Sequence, residues 1–79
     1  MTIRVLLFAS WSDALGARSI DVEVAPDATA ADVLAAVVAR VPDVPLAAPA
    51  VAVNRSIVRP ETRVRDRDEV AIIPPVAGG

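Results

Sequence analysis

Six residues at the end of the sequence are the part of this chain that could do chemistry. They read Pro-Pro-Val-Ala-Gly-Gly, a stiff proline pair followed by two glycines. With glycine near 7% of average usage, two glycines at two given positions occur by chance in about one chain in 200. A frayed terminus would also explain them, because chain ends tolerate change. In the chemical interpretation they form an extended tail of Pro74, Pro75, Val76, Ala77, Gly78 and Gly79.

The reactive group in this interpretation is the carboxylate of Gly79. An α-carboxylate is ionised at neutral pH, and it becomes an acyl donor only after it attacks an activated phosphate. Attack on ATP would give an acyl-adenylate that accepts sulfur or another nucleophile, in a partner's active site that holds nucleotide and Mg²⁺. Glycine adds no side chain beside the acyl carbon, and the proline pair lowers the entropy lost when the tail is threaded.

The composition argues against catalysis by this chain alone. The 79 residues include no His and no Cys. They therefore offer no imidazole base, no thiolate nucleophile and no disulfide, and a zinc site is not expected. We expect a non-catalytic subunit that binds no metal and no cofactor, with ATP and Mg²⁺ used by an activating enzyme.

Charge and hydropathy limit the expected partners and location. A net charge of -2 and a pI near 4.8 do not fit a nucleic-acid-binding domain. No apolar run approaches the roughly 20 residues that cross a bilayer, and residues 1–10 lack the flanks of a secretory signal. We therefore expect no nucleic-acid partner, no membrane partner and a cytoplasmic location.

All eight basic residues are arginine and none is lysine. A GC-rich genome would favour this composition. Selection against lysines that an activated C-terminus could modify would favour it too. The genome explanation is preferred, because composition alone is weak evidence for selection.

Hydrophobic patterns predict the elements that would position the tail. Residues 3–9 form a short apolar run typical of a buried strand, and residues 10–18 carry loop-forming residues. Residues 19–25 alternate between apolar and polar, which predicts a second strand that pairs with the first.

One amphipathic helix is predicted next. Thr29 and Asp32 have the spacing of a capping box, and apolar residues then recur at helical spacing from Val33 to Val41. Pro42 is expected to end the helix.

Three shorter strands are predicted in the second half. Val51 and Val53 belong to one strand, Asn54-Arg55 to a tight turn, and Ile57 and Val58 to the returning strand. The last strand covers residues 69–73, after a polar stretch at 59–67. This order predicts an α+β fold over residues 1–79, a single domain in which a mixed β-grasp sheet wraps one main helix.

The sequence resembles the small subunits of molybdopterin synthase, the MoaD-type sulfur carriers of molybdenum-cofactor biosynthesis. The resemblance is carried by Asp68-Glu-Val-Ala-Ile-Ile-Pro-Pro-Val-Ala-Gly-Gly79, by Ile3-Arg-Val-Leu-Leu-Phe-Ala9 with Leu15-Gly16, and by Val51-Ala-Val-Asn54. It covers essentially the whole chain, and the Pro-Pro-Val-x-Gly-Gly ending is its specific part.

The resemblance implies a ubiquitin-like β-grasp fold and a sulfur-carrier function. Gly79 would be adenylated by a ubiquitin-activating-type adenylyltransferase and converted to a thiocarboxylate with sulfur from a donor enzyme. The tail would then enter the large subunit, in a heterotetramer of two large and two small subunits. Sulfur would pass to cyclic pyranopterin monophosphate and build the molybdopterin dithiolene.

Some positions depart from the family or are open to two interpretations. Ser12-Asp13 stands where the family often has Arg-Glu, and Arg67 where glycine is common. If the backbone needs a positive φ there, Arg67 carries strain of about 1 kcal/mol. Phe8, Trp11 and Ile73 are candidates for a partner interface, and each could instead belong to the core.

Three other functions fit the same tail. The chain could be a sulfur carrier for thiamine or another pathway, although the proline pair favours the molybdopterin interpretation. It could be a ubiquitin-like modifier that forms isopeptide bonds with lysines. It could also be an interaction domain with an inert tail, in which case deleting Gly79 would cost nothing.

Overall fold

The computed structural model describes residues 1–40 and 49–73, and these residues form a five-stranded sheet and two helices. The predicted helix end at Val41 and Pro42 and the predicted tail at 74–79 lie outside the described residues. In chain order the elements are β1 (Thr2–Leu7), α1 (Ala9–Leu15), β2 (Ser19–Glu23), α2 (Ala30–Val38), β3 (Ala50–Val53), β4 (Ser56–Val58) and β5 (Val70–Ile73).

The sheet is mixed, as predicted. Its strand order is β2-β1-β5-β3-β4, so the last strand lies in the centre. β1 and β5 are parallel, and the other neighbouring strands are antiparallel. Two parallel neighbours need a long crossover connection, and the chain between β1 and β5 includes α2.

The core lies between one face of the sheet and α2. Alternate strand residues face it, because successive side chains of a strand point to opposite sides. Val33 and Val37 supply the helix side and are fully buried. The sheet side consists of Ile3, Val5 and Leu7 of β1, Val22 of β2, Val51 of β3, and Val70 and Ile72 of β5.

The sequence prediction was wrong for residues 9–15, which form the helix α1. The apolar run was predicted to stay extended to residue 9 and to be followed by a loop, but β1 ends at Leu7 and α1 begins at Ala9. Trp11 explains the difference, because it is 1% exposed and joins the core cluster. Gly16 then ends the helix in a left-handed conformation, and its N–H donates to the Ser12 carbonyl.

The predicted capping box of α2 is confirmed. The Asp32 N–H donates to Thr29 Oγ1 at 3.3 Å, and the Thr29 N–H donates to Asp32 Oδ2 at 2.9 Å. The pair satisfies two backbone donors that the first turn leaves without intrahelical partners.

The predicted turn at Asn54-Arg55 is also confirmed, and both residues have positive φ, 50° and 72°. The Asn54 side chain fixes this turn to the segment before β5. It accepts from the Glu69 N–H at 3.0 Å and donates to Asp68 Oδ1 at 3.1 Å. Arg67 has a φ of 71°, so it occupies the conformation in which strain was expected.

Candidate functional site: the tail end of the sheet and its outer apolar face

The direction of β5 decides where the candidate tail begins. β5 runs parallel to β1 with Val5 beside Val70 and Leu7 beside Ile72. Both strands therefore end at the same edge of the sheet, where β1 continues through Phe8 into α1. Ile73 is the last described residue before the tail. The candidate tail residues Pro74, Pro75, Val76, Ala77, Gly78 and Gly79 lie outside the described residues.

The sheet face away from α2 is apolar across four strands. The strand registers place Leu6 beside Ala71, Ala71 beside Ala52, and Ala52 beside Ile57. Ala52 and Ala71 are buried, whereas Ile57 is 69% exposed. This row is therefore apolar along its length, and the Ile57 side chain at one end is exposed to solvent.

A second apolar row lies closer to the tail end. Ile73 pairs with Ala50, and both are half-buried. Phe8 follows Leu6 by two residues on extended backbone, which gives it the same face, and it is 46% exposed. We call the two rows together the outer apolar face; it consists of Leu6, Phe8, Ala50, Ala52, Ile57, Ala71 and Ile73.

Charged residues border the outer apolar face. Arg4 Nε lies 3.7 Å from Asp21 Oδ1, and Arg55 Nε lies 3.9 Å from Glu69 Oε1. These side chains are half to nearly nine-tenths exposed, so the pairs contribute little stability. An exposed apolar area with a polar rim is typical of a protein-binding surface.

Trp11 belongs to the core, which is one of the two interpretations that the sequence left open. Its side chain is 1% exposed and contributes to the core. Its indole N–H is buried, and among residues 1–40 and 49–73 it has no hydrogen-bond partner. Trp11 therefore supports the tail end of the fold from inside rather than meeting a partner.

Ile57 is the surface residue that sequence reasoning missed. It was assigned to a strand together with Val58, and neighbouring strand residues point to opposite faces, so one of the two had to point outward. Only the pairing of Ile57 with Ala52 decides which one. The sequence did contain one indication of an outward-facing residue. Ile57 and Val58 are adjacent large aliphatic residues on a strand of only three residues.

A groove of about 450 Å³ opens beside Phe8 at the tail end. Its lining residues are Leu6, Leu7, Phe8, Ala9, Ser12 and Arg18. Ser12 belongs to the Ser12-Asp13 pair, which stands where the family often has Arg-Glu. Arg18 is the one charged residue among the six that line the groove.

Grouped metal ligands and buried polar residues are not found among the described residues. Within the two described ranges, no three His, Cys, Asp or Glu side chains are grouped so that they could hold a metal ion. No buried residue in those ranges is polar or charged. None of the helices there is long and apolar enough to cross a membrane. What the structure places beside the end of β5 is a set of exposed and half-buried apolar side chains.

Comparison with known proteins assigns the chain to a family. The sequence profile of the ThiS family matches residues 5–79. The chain belongs to the ThiS family. A relative from Chlamydomonas reinhardtii named molybdopterin synthase sulfur carrier subunit is 37% identical over 83 aligned residues, and the match covers 100% of both chains.

Solved structures confirm the ubiquitin-like β-grasp fold of this ThiS-family chain. SAMP1 from Haloferax volcanii is 28% identical with a TM-score of 0.82, and the match covers 100% of both chains. One chain of the complex of subunits 1 and 2 of molybdopterin-converting factor from Helicobacter pylori is a more distant match. It is 22% identical with a TM-score of 0.67, again over 100% of both chains.

Proposed function

We propose that this chain is the sulfur carrier subunit of a molybdopterin synthase. The carboxylate of Gly79 is adenylated by a ubiquitin-activating-type adenylyltransferase with ATP and Mg²⁺, and a sulfur donor converts the adenylate to a thiocarboxylate. That sulfur then passes to cyclic pyranopterin monophosphate to form the dithiolene. The chain itself is not catalytic and supplies the sulfur-bearing group to the large subunit of a heterotetramer.

The observation that carries this proposal is the match to the Chlamydomonas reinhardtii sulfur carrier subunit, at 37% identity over the full length of both chains. Membership of the ThiS family over residues 5–79 supports it, because that range includes all six tail residues. The sequence includes no His and no Cys, which is compatible with a carrier whose chemistry takes place in a partner.

In this proposal the outer apolar face binds the large subunit and Gly79 reaches that subunit's active site. Phe8 and Ile73 lie beside the end of β5, so contacts there would hold the base of the tail. Ile57 extends the contact across the sheet, since its side chain is 69% exposed. Burying large apolar side chains on association contributes about 25 cal/mol per Å² of area removed from water.

The intact mass of the chain tests the proposal. The chain is incubated with ATP, Mg²⁺, a candidate adenylyltransferase and a sulfide source. We expect a mass gain equal to the replacement of one oxygen by sulfur, and no gain in a variant that lacks Gly79. The thiocarboxylated chain, mixed with a large subunit and cyclic pyranopterin monophosphate, should then form molybdopterin. An unchanged mass with an adenylyltransferase that activates its own carrier would contradict the proposal.

Protein modification is a second candidate, and one comparison favours it. SAMP1 from Haloferax volcanii is 28% identical over the full length of both chains, and a second structure of that protein is described as small archaeal modifier protein 1. In this alternative the activated Gly79 is transferred to lysine amines of other proteins. Adducts that survive denaturation and carry a Gly-Gly remnant on lysine would support it. A carrier of sulfur for thiamine would instead restore thiamine synthesis in a reconstituted pathway.

A further inference from the structure

We propose that the chain is a donor of its activated C-terminus and cannot serve as an acceptor for another copy of itself. Any transfer to a protein then adds single units and never chains of linked copies. This inference rests on the proposed activation of Gly79 and adds to it the class of acceptor: amines of other proteins, or sulfur, but no side chain of residues 1–79.

The chemistry of the activated terminus defines what an acceptor needs. In an acyl-adenylate the lone pair of an uncharged amine attacks the carbonyl carbon of Gly79, a C–N bond forms, and the C–O bond to AMP breaks. AMP leaves with the electron pair, and the amine releases its proton to water. Sulfide reacts in the same way and gives a thiocarboxylate. An acceptor must therefore offer an amine or sulfur nucleophile that can lose its proton.

No side chain in the sequence meets that requirement. The 79 residues include no Lys, no Cys, no His and no Tyr. Every basic residue is arginine, whose guanidinium stays protonated in proteins and has no free lone pair. Serine and threonine hydroxyls remain, and without an adjacent base they are weak nucleophiles.

In the structure, each arginine position is exposed, so an amine placed there could react with the activated terminus of another copy. All eight arginines lie in the described ranges, and all eight are exposed. Arg55 and Arg4 form the two ion pairs of those ranges, and their side chains are still 88% and 73% exposed. A lysine at any of these positions would keep the charge and would present a nucleophile to solvent.

The α-amine of Met1 is held in the fold. It donates to the Val24 carbonyl at 2.6 Å in a partly buried position. It also lies at the start of β1, whereas the tail follows β5 at the far end of the parallel pair. This amine is therefore partly buried and hydrogen-bonded within the fold.

The test introduces one lysine at a time away from the outer apolar face. Arg63 and Arg65 are exposed and lie in the segment that contacts the start of α2, where the Val64 N–H donates to the Ala28 carbonyl. Arg63→Lys, Arg65→Lys and the original chain are each incubated with adenylyltransferase, ATP and Mg²⁺ and without a sulfur source. Casein, a lysine-bearing protein, is added in a parallel reaction as an acceptor. Denaturing gels and peptide mass spectrometry record linked copies.

We expect the original chain to acylate casein and to form no linked copies. The Arg63→Lys and Arg65→Lys variants should form dimers in which Gly79 of one copy is joined through an amide to the introduced lysine of another. Arg63→Gln, which lacks the amine, and Arg63→Lys without Gly79 should give none. Dimers of the original chain would overturn the inference. So would lysine variants that acylate casein but never each other. If casein is not acylated and ATP–pyrophosphate exchange is absent, the proposed activation fails and this inference fails with it.

Discussion

At the scale of single residues, a positive φ angle makes the free energy of unfolding depend on whether the residue is glycine. Gly16 has a φ of 66°, and a Cβ added there would meet nothing within 4 Å. The cost of replacing it would therefore come from backbone conformation alone. Arg67 has nearly the same φ, 71°, but carries a side chain that disfavours it.

Glycine at position 67 and alanine at position 16 should change the free energy of unfolding in opposite directions. We expect Arg67→Gly to raise the free energy of unfolding by about 0.5–1 kcal/mol, because relief of strain exceeds the added freedom of the unfolded chain. Gly16→Ala should lower it by about 1 kcal/mol. Urea unfolding monitored by far-UV circular dichroism measures both. Arg65→Gly is the matched control, since Arg65 is not among the residues with positive φ, and it should be destabilising. Equal losses in Arg65→Gly and Arg67→Gly would rule out strain at Arg67.

At the scale of elements, the two helices are stabilised in different ways. Because of this difference, α2 could be predicted from the sequence and α1 could not. α2 has a capping box and a stripe of valines, both visible as spacing. α1 has no side-chain cap at Phe8, no acidic residue in its first turn and a positive φ of 49° at Ala9. Its helical state depends on burying Trp11, which is a tertiary contact. Trp11 and Leu15, four residues apart with Gly16 next, were the one local signal.

The capping box of α2 gives a prediction at this scale. Thr29→Ala removes the acceptor for the Asp32 N–H and should cost about 1 kcal/mol of unfolding free energy. Thr29→Ser keeps the hydroxyl and should stay within a few tenths of the original value. Thermal and urea unfolding of the two variants make the comparison. A loss of the same size in Thr29→Ser would mean that the methyl group, not the cap, stabilises the helix start.

At the scale of the whole molecule, the proposed function assigns stability to one face of the sheet and partner binding to the other. Side chains facing α2, such as Val5, Val70 and Ile72, are fully buried. The strand pattern predicted a mixed sheet that wraps one helix, without assigning which residues of β1 and β5 face that helix. It did not predict the outer apolar face, because β4 is three residues long and only its register with β3 turns Ile57 outward. Residues of the outer face should therefore affect partner binding more than folding.

A charge at Ile57 tests this separation. We expect Ile57→Asp to change the free energy of unfolding by no more than about 0.5–1 kcal/mol, because the side chain is already 69% exposed. Affinity for the large subunit should fall at least tenfold, which corresponds to about 1.4 kcal/mol. Ser56→Asp adds the same charge one position earlier on β4, on the other face, and should leave the affinity unchanged. Calorimetric titration measures both. Equal affinity of the two variants would exclude the outer apolar face as the docking surface.

The central position of β5 has a consequence for how the protein is made. β1 is the first strand to leave the ribosome and β5 is the last, yet they lie side by side in the middle of the sheet. Until β5 has emerged, β1 and β3 have no common neighbour, and the fully buried Val70 and Ile72 are missing from the core. Pairing strands so far apart in sequence is also slow. The sheet therefore cannot be completed until β5 has left the ribosome, so the strand that leads into the tail is also the strand that completes the fold.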